Sequence, residues 1–317
     1  MSADLQPSFH GTVLPQGFPL PPKDWVYEWK SSPAADPKLK LYSYVCSKGE
    51  AYGIKGSPRG HRAVLVVHGF GEHSGRYLHF PHFLNEVVET VASFDHRGHG
   101  RSEGARGHIG RFDDFVEDVR VQFEQLHSQM MAKHGKAEIH LFGHSLGGHI
   151  ALRSLLKNPE LSFASASISA PFLGLKTPVP AAKRGAASLL SGVGLGWLQL
   201  PADLDVSLVS RDGAVVEAYR RDRLIHGKMT PRMFSEIMKA IGDTMKRDSG
   251  IKVPLQMMIP LQDGIVDSEK SLEFFRNLKV REKSLKTYPG FYHEAFNDIG
   301  KEQFFADLVA WMNTHHE

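Results

Sequence analysis

Cysteine is nearly absent. The single Cys46 among 317 residues rules out an intramolecular disulfide, and with it the disulfide-stapled frameworks of small secreted domains. In the run LKLYSYVCS it reads as a small buried apolar residue. Long apolar runs are missing as well: no window comes near the ~18 consecutive apolar residues of a membrane-spanning helix. The opening MSADLQPSFHGTVLPQGFPLPPKDW carries neither a basic stretch nor an apolar h-region, so no secretory leader is expected and the cytoplasm is the expected compartment. Charge of one sign is scarce too. Lys and Arg total 38 against 35 Asp and Glu, a net of +3, and the basic residues are interspersed, which argues against nucleic acid as a partner. The glycine-rich DHRGHGRSEG lacks the Gly-Lys-Ser/Thr ending of a phosphate loop, and no His-Glu-x-x-His occurs. His96 and His99 sit in that glycine-broken loop, so neither a metal nor a redox or nucleotide cofactor is expected.

What is present is an ordinary globular balance, 41% hydrophobic and 23% charged, in a chain long enough for two domains or for one large α/β core with an insertion. Residues 1–24 are proline-rich and aperiodic, an irregular arm. WVYEWK and LKLYSYVCS then predict an antiparallel pair. Beyond them, buried strands at 62–68, 89–95, 137–143, 163–170, 254–261 and 283–288 alternate with helical stretches around 77–87, 112–133, 146–157, 267–278 and 299–314. This alternation implies a mostly parallel sheet flanked by helices. The long connection 171–250 has helical patterns of its own (PAAKRGAASLLSGV, DGAVVEAYRRD, TPRMFSEIMKAIGDTMKRD) and reads as a helical cap inserted into a core made of 25–170 and 251–317.

The chemistry is concentrated at strand ends. In IHLFGHSLGGHIAL a buried strand runs into Ser145 between Gly143 and Gly147, and a helical pattern resumes at once. That is the G-x-S-x-G elbow, where a strained turn lifts a serine Oγ above the sheet edge and the helix N-terminus offers N–H groups to a developing oxyanion. A serine hydroxyl needs a base, and the base needs an orienting carboxylate. Asp263 ends PLQMMIPLQD at the carboxyl edge. Asp267, the rival, directly precedes a helical pattern and reads as its N-cap. Eighteen histidines make composition uninformative, but His293 in YPGFYHEAF follows the last strand and precedes the last helix. His226 falls in the cap, and His315 and His316 fall at the terminus. The turn after the strand RAVLVVH, His68-Gly69-Phe70-Gly71, is placed to supply the second oxyanion donor, so the backbone N–H groups of Phe70 and Leu146 are assigned to that role.

With HGFGEHSGRY (68–77), DHRGHGRSEG (95–104), GHSLGG (143–148), DGIVD (263–267) and YHEAFND (292–298) in view, the chain from about residue 40 onward resembles monoacylglycerol lipases and related lysophospholipase-like serine hydrolases of the α/β-hydrolase fold. The resemblance implies the triad Ser145, Asp263 and His293 and the oxyanion donors Phe70 and Leu146. It further implies that Glu72, Arg76 and Tyr219 lie near a polar pocket for a glycerol headgroup. The expected activity is hydrolysis of a small lipid or other carboxylic ester through an acyl-enzyme. Lysophospholipase, acyltransferase and serine aminopeptidase activities on the same triad remain open, as does a non-enzymatic ligand receptor. The cap departs from the family in the stretch SGVGLGWLQLPADL. There Leu189, Leu190, Val193, Leu195, Trp197, Leu198 and Leu200 crowd together, too many apolar residues for one amphipathic face. They are expected to roof an acyl tunnel above Ser145. The alternative is that part of this run touches lipid around Trp197, with Lys183 and Arg184 favouring anionic headgroups.

Overall fold

The computed structural model describes residues 9–177, 180–192, 194–202 and 204–316. Strands β1 (Trp25–Pro33) and β2 (Lys40–Lys48) form the expected antiparallel pair, with Trp25 opposite Lys48. The chain continues through β3 (Arg62–Val67), α1 (Phe80–Leu84), β4 (Thr90–Phe94), α2 (Asp113–His134), β5 (Glu138–His144), α3 (Leu146–Lys157) and β6 (Ser165–Ser169). An insertion follows, made of α4 (Ala181–Gly192), β7 (Leu200–Pro201), α5 (Gly213–Arg221), β8 (Lys228–Met229) and α6 (Pro231–Met245). The chain returns to the sheet with β9 (Leu255–Pro260), α7 (Ser268–Asn277), β10 (Lys283–Tyr288) and α8 (Lys301–Asn313).

Eight strands form one sheet in the order β1-β2-β4-β3-β5-β6-β9-β10. All pairs from β4 to β10 are parallel, and the antiparallel β1 and β2 extend the sheet at one edge. The run RAVLVV shows why. From Ala63 to Val67 every residue is buried, as a central parallel strand covered by helices on both faces requires. Successive side chains alternate between the faces. Leu65 and Val67 join the core that includes α2, α3 and α7, whereas Val64 and Val66 join the core beneath α1 and α8 with Phe80, Phe304 and Phe305. The connections out of β3 and β4 lead to opposite sides of β3. The resulting crevice at the carboxyl ends of the strands is where ligands bind in open α/β sheets. The register brings Val67, Phe94 and Gly143 level at that edge.

Two expectations change. The helix predicted over 77–87 is reduced to α1, preceded by a 3-10 turn over Ser74–Tyr77. Pro81 is the reason: it has no N–H to donate to the carbonyl of Tyr77, and that carbonyl instead accepts the Tyr44 hydroxyl at 3.3 Å. The insertion is not wholly helical either. β7 and β8 form a two-residue antiparallel ladder, Leu200 to Met229 and Pro201 to Lys228, too short to leave a periodic signal. Cys46 is buried, and burial pushes its thiol well above the ordinary range. Among the described residues no helix is long and apolar enough to cross a membrane.

Candidate active site

Ser145 stands between β5 and α3 with φ 54° and ψ −119°, a conformation that costs a non-glycine residue roughly 1–3 kcal/mol and persists only where the surroundings enforce it. The enforcement is visible. The Ser145 N–H donates to the Ser169 carbonyl at 3.0 Å, and the Ser145 carbonyl accepts from His149 at 3.0 Å and Phe172 at 2.9 Å. The glycine two residues on is dictated by a close approach: a Cβ on Gly147 would lie 2.1 Å from the Val67 carbonyl oxygen. Helix α3 can therefore start directly against β3 only because position 147 has no side chain.

His293 and Asp263 are brought together. His293 Nδ1 lies 2.6 Å from Asp263 Oδ2, both groups being buried. The other oxygen, Oδ1, accepts the N–H groups of Ile265 at 2.8 Å and Val266 at 3.0 Å, so the carboxylate is held from two sides. Burial alone would lower the His293 imidazole. The adjacent Asp263 charge and hydrogen bond outweigh it, and with Glu294 and Glu72 they leave the group above its ordinary value. The ring packs 4.6 Å, centre to centre, from His144, the residue before Ser145. Asp267 stands apart: half-buried, it caps α7 by accepting the Glu269 N–H at 3.1 Å.

The turn after β3 meets the elbow. A Cβ on Gly69 would fall 3.2 Å from Ser145 Cβ, which places the Phe70 backbone next to the serine. Among the described residues the N–H groups of Phe70 and Leu146 have no backbone acceptor. Glu72 stabilises this turn, for its Oε1 accepts the Gly69 N–H at 2.5 Å and the Tyr77 hydroxyl at 2.7 Å. Its Oε2 meets Arg76 at 2.7 Å. Arg76 in turn forks onto Glu294 at 2.5 and 2.7 Å, and its guanidinium lies 4.6 Å from the centre of the Tyr219 ring. Glu72, Arg76 and Tyr219 are therefore gathered beside the elbow as a buried ionic cluster. Burial raises the Glu72 carboxyl above its usual range despite Arg76, and it raises the Tyr219 hydroxyl as well.

Sequence reasoning missed Glu294, although it directly follows His293. It also left two loop anchors unread. Asp95 of DHRGHG accepts the Ser74 N–H at 2.8 Å, the Ser74 hydroxyl at 2.6 Å and the Arg101 N–H at 2.7 Å, tying the post-β4 loop to the turn after β3. Asp298 of YHEAFND pairs with Arg211 of the insertion at 3.0 Å. The signal for both was an acid embedded in a glycine- or aromatic-rich loop, which has no private meaning in sequence. His96 and His99 lie in the core beside His68, with ring centres 4.1 and 5.6 Å from it.

The apolar run of the insertion differs from expectation. Leu189, Leu195, Trp197 and Leu200 are exposed, Trp197 at 63%, whereas a tunnel roof would bury them. Leu190 and Leu198 are half-buried. Val193 and the side chains of Lys183 and Arg184 lie outside the described residues.

An eight-stranded, mostly parallel sheet with an elbow serine at its carboxyl edge and an insertion after the sixth strand is the architecture of the α/β hydrolases. The chain belongs to the Hydrolase_4 family, described as serine aminopeptidase, S33, whose family model matches residues 58–300. It is 30% identical over 260 residues to a monoacylglycerol lipase of Mycolicibacterium smegmatis, covering 81% of this chain and 89% of that protein. It is also 30% identical over 258 residues, 80% of this chain, to an uncharacterized abhydrolase domain-containing protein of Dictyostelium discoideum, of whose length it spans 26%. Among solved structures, the monoacylglycerol lipase of Paleococcus ferrophilus superposes with a TM-score of 0.74 at 31% identity, covering 87% of this chain and 99% of that one. The chain is a lipase-like ester hydrolase.

Proposed function

We propose that the protein hydrolyses carboxylic esters of the monoacylglycerol class through an acyl-enzyme on Ser145, with His293 as base and acid, Asp263 as the orienting carboxylate and the Phe70 and Leu146 N–H groups as oxyanion donors. The observation that carries this reading is the 2.6 Å contact between His293 and Asp263 next to a serine held at φ 54°. Asp263 accepts the hydrogen bond from Nδ1–H without taking the proton, which leaves Nε2 as the basic nitrogen. Nε2 accepts the hydroxyl proton while Ser145 Oγ attacks the carbonyl carbon, and the carbonyl electron pair moves onto the oxyanion. Collapse of the intermediate expels the alcohol, which takes its proton from His293. Water then repeats the sequence on the acyl-serine, releasing the acid and restoring the hydroxyl.

In this reading residues 171–250 cap a core made of 25–170 and 251–317, and 1–24 form an arm. The cluster of Glu72, Arg76 and Tyr219 forms the polar end of the alcohol site. The similarity to two monoacylglycerol lipases supports a glycerol ester over other esters. The exposed Leu195, Trp197 and Leu200 support the second part of the proposal, that the cap touches a lipid surface while substrate enters.

A hydrolysis panel tests the substrate. Monoacylglycerols are expected to exceed lysophospholipids, p-nitrophenyl esters and aminoacyl arylamides in kcat/KM, and preference for an arylamide would replace the ester reading with an aminopeptidase. Ser145→Ala is expected to reduce ester turnover by ~10⁴-fold or more and to abolish labelling by a fluorophosphonate probe. Persistent labelling would remove Ser145 from the mechanism.

A further inference from the structure

The segment carrying His293 and the turn carrying the Phe70 oxyanion donor come from distant parts of the chain. One buried ionic chain joins them. Glu294, the residue after His293, holds Arg76 through two parallel contacts at 2.5 and 2.7 Å, the fork geometry in which a guanidinium fixes a carboxylate in orientation as well as distance. Arg76 holds Glu72 at 2.7 Å, and Glu72 holds the Gly69 N–H at 2.5 Å, one residue before Phe70. The far side of Glu294 is also fixed: Asn297 Nδ2 donates to its Oε2 at 3.0 Å, and its own N–H donates to the Val209 carbonyl of the insertion at 2.8 Å. Tyr219 of α5 closes the guanidinium face. All of these side chains are buried, and the Val209 contact is made through backbone atoms alone.

A buried ionic cluster of this kind is not explained by stability. Two carboxylates and one guanidinium removed from water carry a desolvation cost that apolar residues of equal volume would avoid. Nor does the proposed acyl transfer need Glu294 to touch substrate. What the cluster does provide is a rigid link between two loops whose relative position decides whether Nε2 and the oxyanion donors converge on one carbonyl, a geometry in which a 1 Å error costs about 100-fold. It also leaves one uncompensated negative charge beside the imidazole. We propose that Glu294 is a positioning residue for acyl transfer, locking the His293 segment to the oxyanion turn through Arg76 and Glu72 and favouring the imidazolium that forms as Ser145 attacks. This rests on the Ser145, His293 and Asp263 reading given above.

The groups facing His293 are Asp263 from the end of β9, His144 from the end of β5, Glu72 and Arg76 from the segment after β3, and Glu294 itself. Of these, only Glu294 is changed in the test. Glu294→Gln keeps the shape and removes the charge, whereas Glu294→Asp keeps the charge and shortens the reach. The readouts are the rate of fluorophosphonate labelling and kcat/KM for a soluble p-nitrophenyl ester, both across pH. For Glu294→Gln the rising limb is expected to move to lower pH by roughly half a unit to one unit, because the imidazolium loses an anionic neighbour. The plateau is expected to fall about 10- to 100-fold. For Glu294→Asp the limb is expected to stay at its wild-type position while the plateau falls. A purely structural role would lower activity in both without moving either limb, and a Gln limb coincident with wild type overturns the inference. Should Glu294→Gln fail to fold, the Asp variant decides through titration of its active sites: a lowered rate per titrated site at an unmoved limb supports the link, whereas a wild-type rate per site, with only the number of titratable sites reduced, overturns it. Ser145→Ala separates the two levels, since labelling of that variant would remove the underlying reading, whereas an inert Ser145→Ala with unaltered Glu294 variants removes this inference only.

Discussion

Two aspartates four residues apart illustrate how much a residue's role depends on what it touches. Asp263 is buried, accepts two backbone N–H groups and contacts His293 at 2.6 Å, whereas Asp267 is half-buried and accepts one N–H at the start of α7. Asp263→Asn is expected to lower kcat about 10³- to 10⁴-fold with folding retained, because the amide favours the wrong imidazole tautomer. Asp267→Ala is expected to lower stability by ~1 kcal/mol as a lost cap, with activity unchanged. Denaturant titration and ester kinetics on both variants check this, and the reverse pattern would reassign the acid. The same contact bears on pH. With His293 held above its ordinary 6.5, the acylation rate is expected to rise with a midpoint above that value, since only the neutral imidazole can take the serine proton. A rate already flat from pH 5 to 8, with acylation limiting, would contradict a histidine base. Ser145, Asp263 and His293 were legible in the sequence as candidates because each follows a strand in an α/β alternation. Glu294 was not, because an acid beside a histidine declares nothing until Arg76, more than two hundred positions away, is seen to hold it.

At the scale of elements, the connection from β5 to α3 followed from local rules, since glycines at 143 and 147 and a helical pattern after them leave few alternatives. The stretch from α4 to β7 did not. Its apolar density read as a buried roof, but Leu189, Leu195, Trp197 and Leu200 face outward. Periodicity reports how much of a helix is apolar and says nothing about whether protein or another phase covers it. If a lipid surface covers it, Trp197→Ser with Leu195→Ser is expected to weaken co-sedimentation with phosphatidylglycerol-containing vesicles by about 100-fold, since each Leu-sized side chain contributes about 1.5–3 kcal/mol on burial. Turnover of a short soluble ester is expected to stay at the wild-type level. Equal partitioning of the variant and wild type would reject lipid contact.

The whole molecule holds an unusual number of buried imidazoles. Burial lowers His79, His140 and His149 to about 3 and His96 to about 4, against ~6.5 in an unfolded chain. These groups are neutral when folded and bind protons on unfolding. Their contribution to stability is therefore complete above pH 6.5 and is lost as the pH falls from there toward 3 to 4, by ~1.4 kcal/mol per pH unit for each group. Asp222 acts in the same direction lower down: burial pushes its carboxyl up, but His73 at 3.0 Å and the N–H groups of Val13 and Leu224 hold it below its ordinary range. His293, being raised, acts oppositely, yet it is one group against several. Tm is expected to fall steeply from pH 6.5 to 4.5, with several protons taken up on unfolding. A Tm independent of pH over that interval would show these imidazoles to be solvated. Asp222 also joins three distant parts of the chain, the N-terminal arm at Val13, the core at His73 and the insertion at the end of α5.

By itself the sequence determined the sheet, its direction and the candidate site. Buried β-branched runs, helical periodicity and glycine spacing are local or short-range signals, and a parallel α/β alternation brings its strand ends to one edge whatever the loops contain. Only the tertiary structure decided which loop residues meet across that edge: Glu294 with Arg76, Asp298 with Arg211, Asp222 with His73 and Val13, and a two-residue ladder between β7 and β8. It also decided that Leu189, Leu195, Trp197 and Leu200 of the insertion are exposed. The physical reason is the same in each case. An ion pair or a covered surface is a property of two partners, and when they lie far apart in the chain neither one's neighbours in sequence record the other.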